Sequence, residues 1–274
     1  MQTTASLWEL LCRDFESERR NAESDQYREI SLRFLQAAKR ILRSSSPKLC
    51  DAIEIAGDAC QAGGDLRDAA ARFDEALSKA LELGATASAA RLAAKVAMVR
   101  DKMGNIEEAR SRYEQALSLY ERTHDYSQHV MLLSRLGGLC KDAGDLTEME
   151  RSYRHAMEVA VRLHDQNHPE VAAAANNLGV AYTEMRDFLQ AESFHMQALA
   201  IREKCFGTMH PEVAQSMANL AVVYHAAGNH QKALAFYSGA LTIYSRFRGA
   251  DDPEMRTVMT NRDALFSRIG DQKS

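Results

Sequence analysis

Proline occurs only four times and glycine fourteen times in 274 residues, while alanine is abundant. Helix breakers are scarce, so an all-α chain is the expectation. Long apolar runs are missing as well: no window reaches the roughly 18 apolar residues of a membrane span. The opening MQTTASLWELLCRDFESERR sets charged residues where a secretory signal needs an unbroken apolar stretch. A cytoplasmic chain is expected, touching the inner face of a membrane only peripherally. The five cysteines (Cys12, Cys50, Cys60, Cys140 and Cys205) form no CxxC pair, which argues against a zinc or redox site and fits a reducing compartment. A basic excess is lacking too: the formal net charge is -4, so no nucleic-acid partner is expected. No GxGxxG, P-loop, GxSxG or HExxH is found. The expectation is therefore a non-enzyme with no cofactor, no metal and no small-molecule substrate.

What is present is a repeat. Small polar turns recur at Gly64-Asp65, Gly104-Asn105, Gly144-Asp145, Arg186-Asp187, Gly228-Asn229 and Gly270-Asp271, a step that is nearly constant along the chain. Behind the first five come Ala69-x3-Phe73-x2-Ala76, Ala109-x3-Tyr113-x2-Ala116, Met149-x3-Tyr153-x2-Ala156, Ala191-x3-His195-x2-Ala198 and Ala233-x3-Tyr237-x2-Ala240. Spacings of three and four put these on one helical face, small residues admitting a neighbouring helix and the ring filling the gap. Ahead of the turns run Leu136-Gly137…Cys140, Leu178-Gly179…Tyr182 and Leu220-Ala221…Tyr224. Together these match the signature of the tetratricopeptide repeat, a helix–turn–helix unit. The reading is one domain over 1–274, a right-handed α-solenoid of about six hairpins (5–44, 46–84, 86–124, 126–165, 169–207 and 211–249) with a capping helix over 252–268. In the cap, Arg262 and Asp263 replace the Leu and Gly or Ala of inner units, as a polar end requires.

Later units share a helix-start signal, His168-Pro169-Glu170-Val171, His210-Pro211-Glu212-Val213 and Asp252-Pro253-Glu254-Met255. Proline suits the first helical position and Glu the first turn, so these histidines are expected to be structural. Glu192-x-x-His195 has the spacing of half a di-iron motif, but no second ExxH exists and His195 stands where other units have Tyr or Phe. It reads as a core ring. Cys60 and Cys140 read as packing thiols.

The stretch HPEVAAAANNLGVAYTEMRDFLQAESFHMQALAIREKCFG, then HPEVAQSMANLAVVYHAAGNHQKALAFYSGALTIY and GADDPE, resembles the repeats of kinesin light chains. That family shares the period of these later units, HP-x-VA, NNLA and IRE-K; the likeness covers the stretch from His168 to Ala264. Eukaryotic members set a heptad coiled coil before the repeats, and none precedes the first unit here. The chain therefore looks more like bacterial kinesin light chains, which accompany bacterial tubulins and are thought to link those filaments to membranes. The resemblance implies a tubulin-like partner; periodicity does not.

In such arrays the first helices line a binding wall. Its candidates are Arg91, Asp101 and Lys102, then Ser134, Lys141 and Asp142, then Asn176, Asn177, Thr183 and Glu184, then Gln215, Asn219 and His225, and finally Asn261. Asn177, Asn219 and Asn261 recur once per repeat, reading either as a ladder that clamps peptide groups or as inter-helix hydrogen bonding. The segment 26–48 carries Arg28, Arg33, Lys39, Arg40, Arg43 and Lys48 against the single acid Glu29. It reads either as a basic amphipathic surface for an anionic membrane or acidic protein, or as a plain second helix with a solvated side. The chain is expected to be a protein-binding adaptor, with a peptide-binding chaperone or regulatory scaffold as the alternative.

Overall fold

A computed structural model describes residues 4–20, 23–249 and 251–271. Among them the only regular elements are thirteen α-helices: α1 (Thr4–Arg19), α2 (Ser24–Ile41), α3 (Pro47–Ala62), α4 (Leu66–Glu82), α5 (Thr86–Lys102), α6 (Ile106–Thr123), α7 (His129–Asp142), α8 (Leu146–Leu163), α9 (Pro169–Glu184), α10 (Phe188–Phe206), α11 (Pro211–Ala226), α12 (His230–Phe247) and α13 (Pro253–Asp271). Contacts divide the chain into two compact units, residues 1–128 with α1–α6 and residues 129–274 with α7–α13. In each unit consecutive helices pair as antiparallel hairpins, and the second helix of one packs on the first helix of the next. This is the all-α architecture of an α-solenoid.

The five hairpins from α3 to α12 each close with two residues that do two jobs. The first takes a left-handed backbone at Gly64, Gly104, Gly144, Arg186 and Gly228. That conformation lets two amides turn back onto the helix just finished: Gly144 N–H donates to the Lys141 carbonyl (2.9 Å) and Asp145 N–H to that of Cys140 (2.8 Å). This is a Schellman closure. The second residue then starts the next helix, its side chain accepting an N–H three residues on at Asp65, Asp145, Asp187 and Asn229. A C-cap and an N-cap are thus compressed into one dipeptide, which is why Gly-Asp or Gly-Asn marks four of these five turns. The sixth occurrence, Gly270-Asp271, departs from expectation: α13 runs through it to Asp271. No further helix stands among the described residues for that dipeptide to cap.

A small position on α3, α5, α7, α9 and α11 meets a ring on the helix that follows, always at the same sequence separation. Gly57 faces Phe73, Gly137 faces Tyr153 and Gly179 faces His195; a Cβ on these glycines would lie 2.6, 2.4 and 2.6 Å from ring atoms. Ala97 and Ala221 hold the same position opposite Tyr113 and Tyr237, and all of these residues are buried. At the end of unit 2, α13 buries Val258 and Leu265 but leaves Phe266 exposed. Arg262 pairs with its neighbour Asp263 at 2.8 Å, a polar substitute where inner first helices need a small residue.

Arg186 holds φ 62 where the other turns have glycine, a conformation costing an L-residue about 1 kcal/mol. Arg186→Gly is expected to raise the unfolding free energy by about 0.5–1 kcal/mol. A urea titration checks this, and destabilisation would show that the Arg186 side chain contributes more than its backbone costs.

Candidate functional site

The first helices of unit 2 lie side by side, with α9 between α7 and α11. Their shared wall is joined by polar contacts. Lys141 Nζ lies 3.7 Å from Glu184 Oε1 across α7 and α9. Asn219 Nδ2 donates to Asn176 Oδ1 at 2.7 Å across α11 and α9. Beyond Asn219 opens a cavity of about 220 Å³ in which amides (Gln215, Asn219, Asn261), the Glu254 carboxylate and apolar Val222 and Val258 meet. Asn261 and Tyr237 both line this cavity. The amide that pairs with Asn219 is therefore Asn176; Asn177 is half-buried beside it. Thr183 spends its hydroxyl on the Gly179 carbonyl at 2.7 Å, and the His225 ring sits edge-on to His230 at 6.0 Å. Ser134 is half-buried and Asp142 exposed.

In unit 1 the candidates sit among charges. Arg91 Nη1 meets Glu54 Oε1 at 2.6 Å, and Lys95 bridges Glu54 (2.7 Å) and Asp58 (2.6 Å). Asp101 accepts the Tyr113 hydroxyl at 3.1 Å, while Lys102 is exposed.

Two further groups hold the unit 2 wall in position. Tyr182 on α9 donates to Glu150 on α8 at 3.1 Å, and Tyr224 on α11 donates to Glu192 on α10 at 2.5 Å. Phe194 and Phe236 stack on these two tyrosines at 5.5 and 5.4 Å. Burial, with the Glu192 hydrogen bond adding to it, pushes the Tyr224 hydroxyl up to about 12. The signal was in the recurrence of Glu150 and Glu192 at equivalent places of successive repeats, which no turn or packing rule singles out.

The basic set of unit 1 is mostly engaged. Arg28 pairs with Asp65 (2.6 Å) and Asp68 (3.2 Å), Arg33 with Glu18 (2.8 Å) and Lys39 with Glu75 (2.9 Å). Lys48 stands on α3, with its ammonium 5.8 Å from the centre of the Trp8 ring. Arg40 lies in the last turn of α2 and Arg43 in the loop after it, both exposed. The local charge counted along 26–48 is thus largely neutralised by acids distant in sequence.

A family model for the tetratricopeptide repeat matches residues 128–204 and 212–274, and a second matches 90–123. The chain belongs to the tetratricopeptide-repeat family. Among solved structures, this repeat protein is similar to BtubC (BKLC) from P. vanneervenii. Identity is 28% over 88% of this chain and 94% of that one, with a TM-score of 0.67. It shares its fold with RapI in the apo form (15% identity, 98% and 87% covered, TM-score 0.70). It also shares it with YrrB, described as a TPR protein with an unusual peptide-binding site (18%, 83% and 96%, TM-score 0.55). None of the curated proteins compared with the chain matches it. No described helix is long and apolar enough to cross a membrane.

The histidines of the repeat protein divide by role. His168 and His210 cap α9 and α11 through side chains that accept the Glu170 and Glu212 N–H. His195 is a core ring, 1% exposed, while Glu192 of the same ExxH spacing is turned to Tyr224. Burial, helped by Arg202, lowers His195 from 6.5 to about 4. The folded protein holds this ring neutral while the unfolded chain protonates it, so between those pH values the unfolded state binds more protons. Its contribution is complete above pH 6.5 and lost toward pH 4, a fall of up to about 3 kcal/mol. His195→Tyr, which installs the residue of three other units, is expected to remove that part of the slope. Urea midpoints of both proteins from pH 7 to pH 4 test it; parallel curves would refute neutral burial.

Proposed function

We propose that this tetratricopeptide-repeat protein is an adaptor that holds an extended segment of a partner protein on the first-helix wall of unit 2. The observation carrying this reading is the strip of amides from Asn176 and Asn219 to Gln215 and Asn261, opening on the partly apolar cavity between α11 and α13. Amides offer donors and acceptors together, so they satisfy a peptide backbone without demanding a charge. The cavity accepts one apolar side chain, and because the flanking Glu184 and Glu254 are paired with Lys141 and Arg248, the wall favours a segment without strong charge. Asn261 stands on the far side of the cavity, on α13.

The partner in this proposal is a tubulin-like filament, supported by the 28% identity to BtubC over nearly the full length of both chains. The sharper test is sedimentation with polymerised bacterial tubulin. The protein is expected to pellet with the filament, and an Asn176→Ala/Asn219→Ala variant to need at least about tenfold more filament, a loss of about 1.4 kcal/mol. Because both partners of the hydrogen bond are removed together, the fold should be little affected. Pelleting by both proteins alike would move the contact off this wall, and no pelleting would leave an adaptor for another protein.

The second contact in this proposal is an anionic membrane surface met by unit 1. Of the six basic residues, Arg40, Arg43 and Lys48 are exposed and have no acid partner among the described residues; Lys48 lies by the Trp8 ring, so Arg40 and Arg43 carry the attraction, each worth about 1 kcal/mol near a charged leaflet. Flotation with phosphatidylserine vesicles at low salt is expected to recover the protein, and Arg40→Glu/Arg43→Glu to abolish recovery without changing the helical circular dichroism. Equal recovery of the variant, or none of the wild type, would remove the membrane from the reading.

A further inference from the structure

Three corners in unit 2 repeat one construction at the period of the hairpins, where the end of a second helix passes over the start of the next first helix. At each, the residue before proline caps: Glu170 N–H donates to His168 Nδ1 (3.2 Å), Glu212 N–H to His210 Nδ1 (3.2 Å) and Met255 N–H to Asp252 Oδ1 (3.0 Å). Four positions before each cap stands a side chain that covers it. Phe206 stacks on His210 at 4.6 Å, and Arg248 bonds Asp252 at 2.9 Å. Capping therefore accounts for the histidines at 168 and 210, and the covering position asks only for a ring or a cation. The first corner supplies His164, whose ring stacks on His168 at 3.8 Å with planes 7° apart.

Each corner also presents a glutamate in the first turn of the new helix. Glu212 is neutralised by the buried Arg202 at 2.9 Å, and Glu254 by Arg248 at 3.1 Å. In the first corner Ala160 stands where Arg202 stands. Glu170 is paired with no lysine or arginine among the described residues; its partner is His164, with Nε2 to Oε2 at 2.9 Å. The corner thus combines an acid lacking its cation with a second imidazole that capping does not require. One ligand atom from each of His164, His168 and Glu170 lies within 4.8 Å of the others.

We propose that this corner binds one divalent transition ion of the zinc class through His164, His168 and Glu170. Two imidazoles and a carboxylate suit zinc, cobalt or nickel, and two nitrogen ligands disfavour magnesium and calcium. Water completes the coordination, as in a site with three protein ligands. The ion takes the place of the hydrogen shared by His164 Nε2 and Glu170. With ligand distances of about 2.0–2.2 Å, that pair opens by a few tenths of an ångström. The stacked rings must turn apart, because an ion lies in the plane of the imidazole that binds it. A neutral imidazole has one lone pair, so whichever nitrogen of His168 binds, the cap on the Glu170 N–H is exchanged for the metal bond. The ion supplies the positive charge that Arg202 and Arg248 supply in the other corners, fastening the end of α8 to the start of α9.

The test is calorimetric titration of the untagged full chain with zinc, with cobalt absorption reporting the ligand set. His164→Phe installs the residue the next corner uses, so the stack and fold are retained; Glu170→Gln keeps the capped N–H. Wild type is expected to bind one equivalent of zinc and to gain thermal stability from it, each variant weakening binding at least tenfold. Cys205→Ser, at an exposed thiol that donates to the Asn167 carbonyl at 3.0 Å, is expected to bind as wild type does. No binding at millimolar zinc, unchanged binding in His164→Phe and Glu170→Gln, or loss through Cys205→Ser alone would each overturn the site.

Discussion

The contact on which everything else rests is an aromatic or imidazole ring pressed against a residue with little or no side chain, at a fixed separation earlier on the partner helix. At Gly57, Gly137 and Gly179 the approach is so close that a methyl group has no room. It sets the distance between the two helices of a hairpin, and so fixes which side chains of the first helix are turned toward the wall. A helical hairpin of this length cannot bury its apolar face alone. The same rings, together with the alanines beside them, supply the surface on which the next hairpin stacks.

Once hairpins are stacked at a constant period, a side chain repeated at that period meets its counterpart on the neighbouring hairpin. Tyr182 reaching Glu150 and Tyr224 reaching Glu192 are the same bond made twice. The Asn219 to Asn176 bond and the Lys141 to Glu184 pair run along the wall in the same sense. Departures from the repeat stand out against that regularity. Arg186 occupies a glycine position in a turn, and Ala160 leaves Glu170 without the arginine its counterpart has.

The turns and the rings were legible in the residues because both obey local rules. A left-handed position calls for glycine, a cap calls for Asp or Asn, and three-four spacing puts the ring on the packed face. The capping roles of His168 and His210 followed from the proline behind them for the same reason. The wall and the basic segment were less legible. Asn176 and Asn177 are adjacent on the helix and chemically identical, and only the packing of α11 beside α9 selects Asn176 as the partner of Asn219. The six cations of 26–48 form one charged run on paper, yet Asp65, Asp68, Glu18 and Glu75 come from other helices to neutralise three of them.

By itself, then, the order of residues determined the helical hairpins, their period, five of the six turns it marked and the identity of the core. These depend on backbone conformation and on contacts whose sequence separation is constant. Tertiary structure decided which polar groups are free to bind something else. A side chain's availability depends on partners brought from a neighbouring hairpin one full repeat away, and the periodicity places that hairpin without stating which charges it carries to the contact.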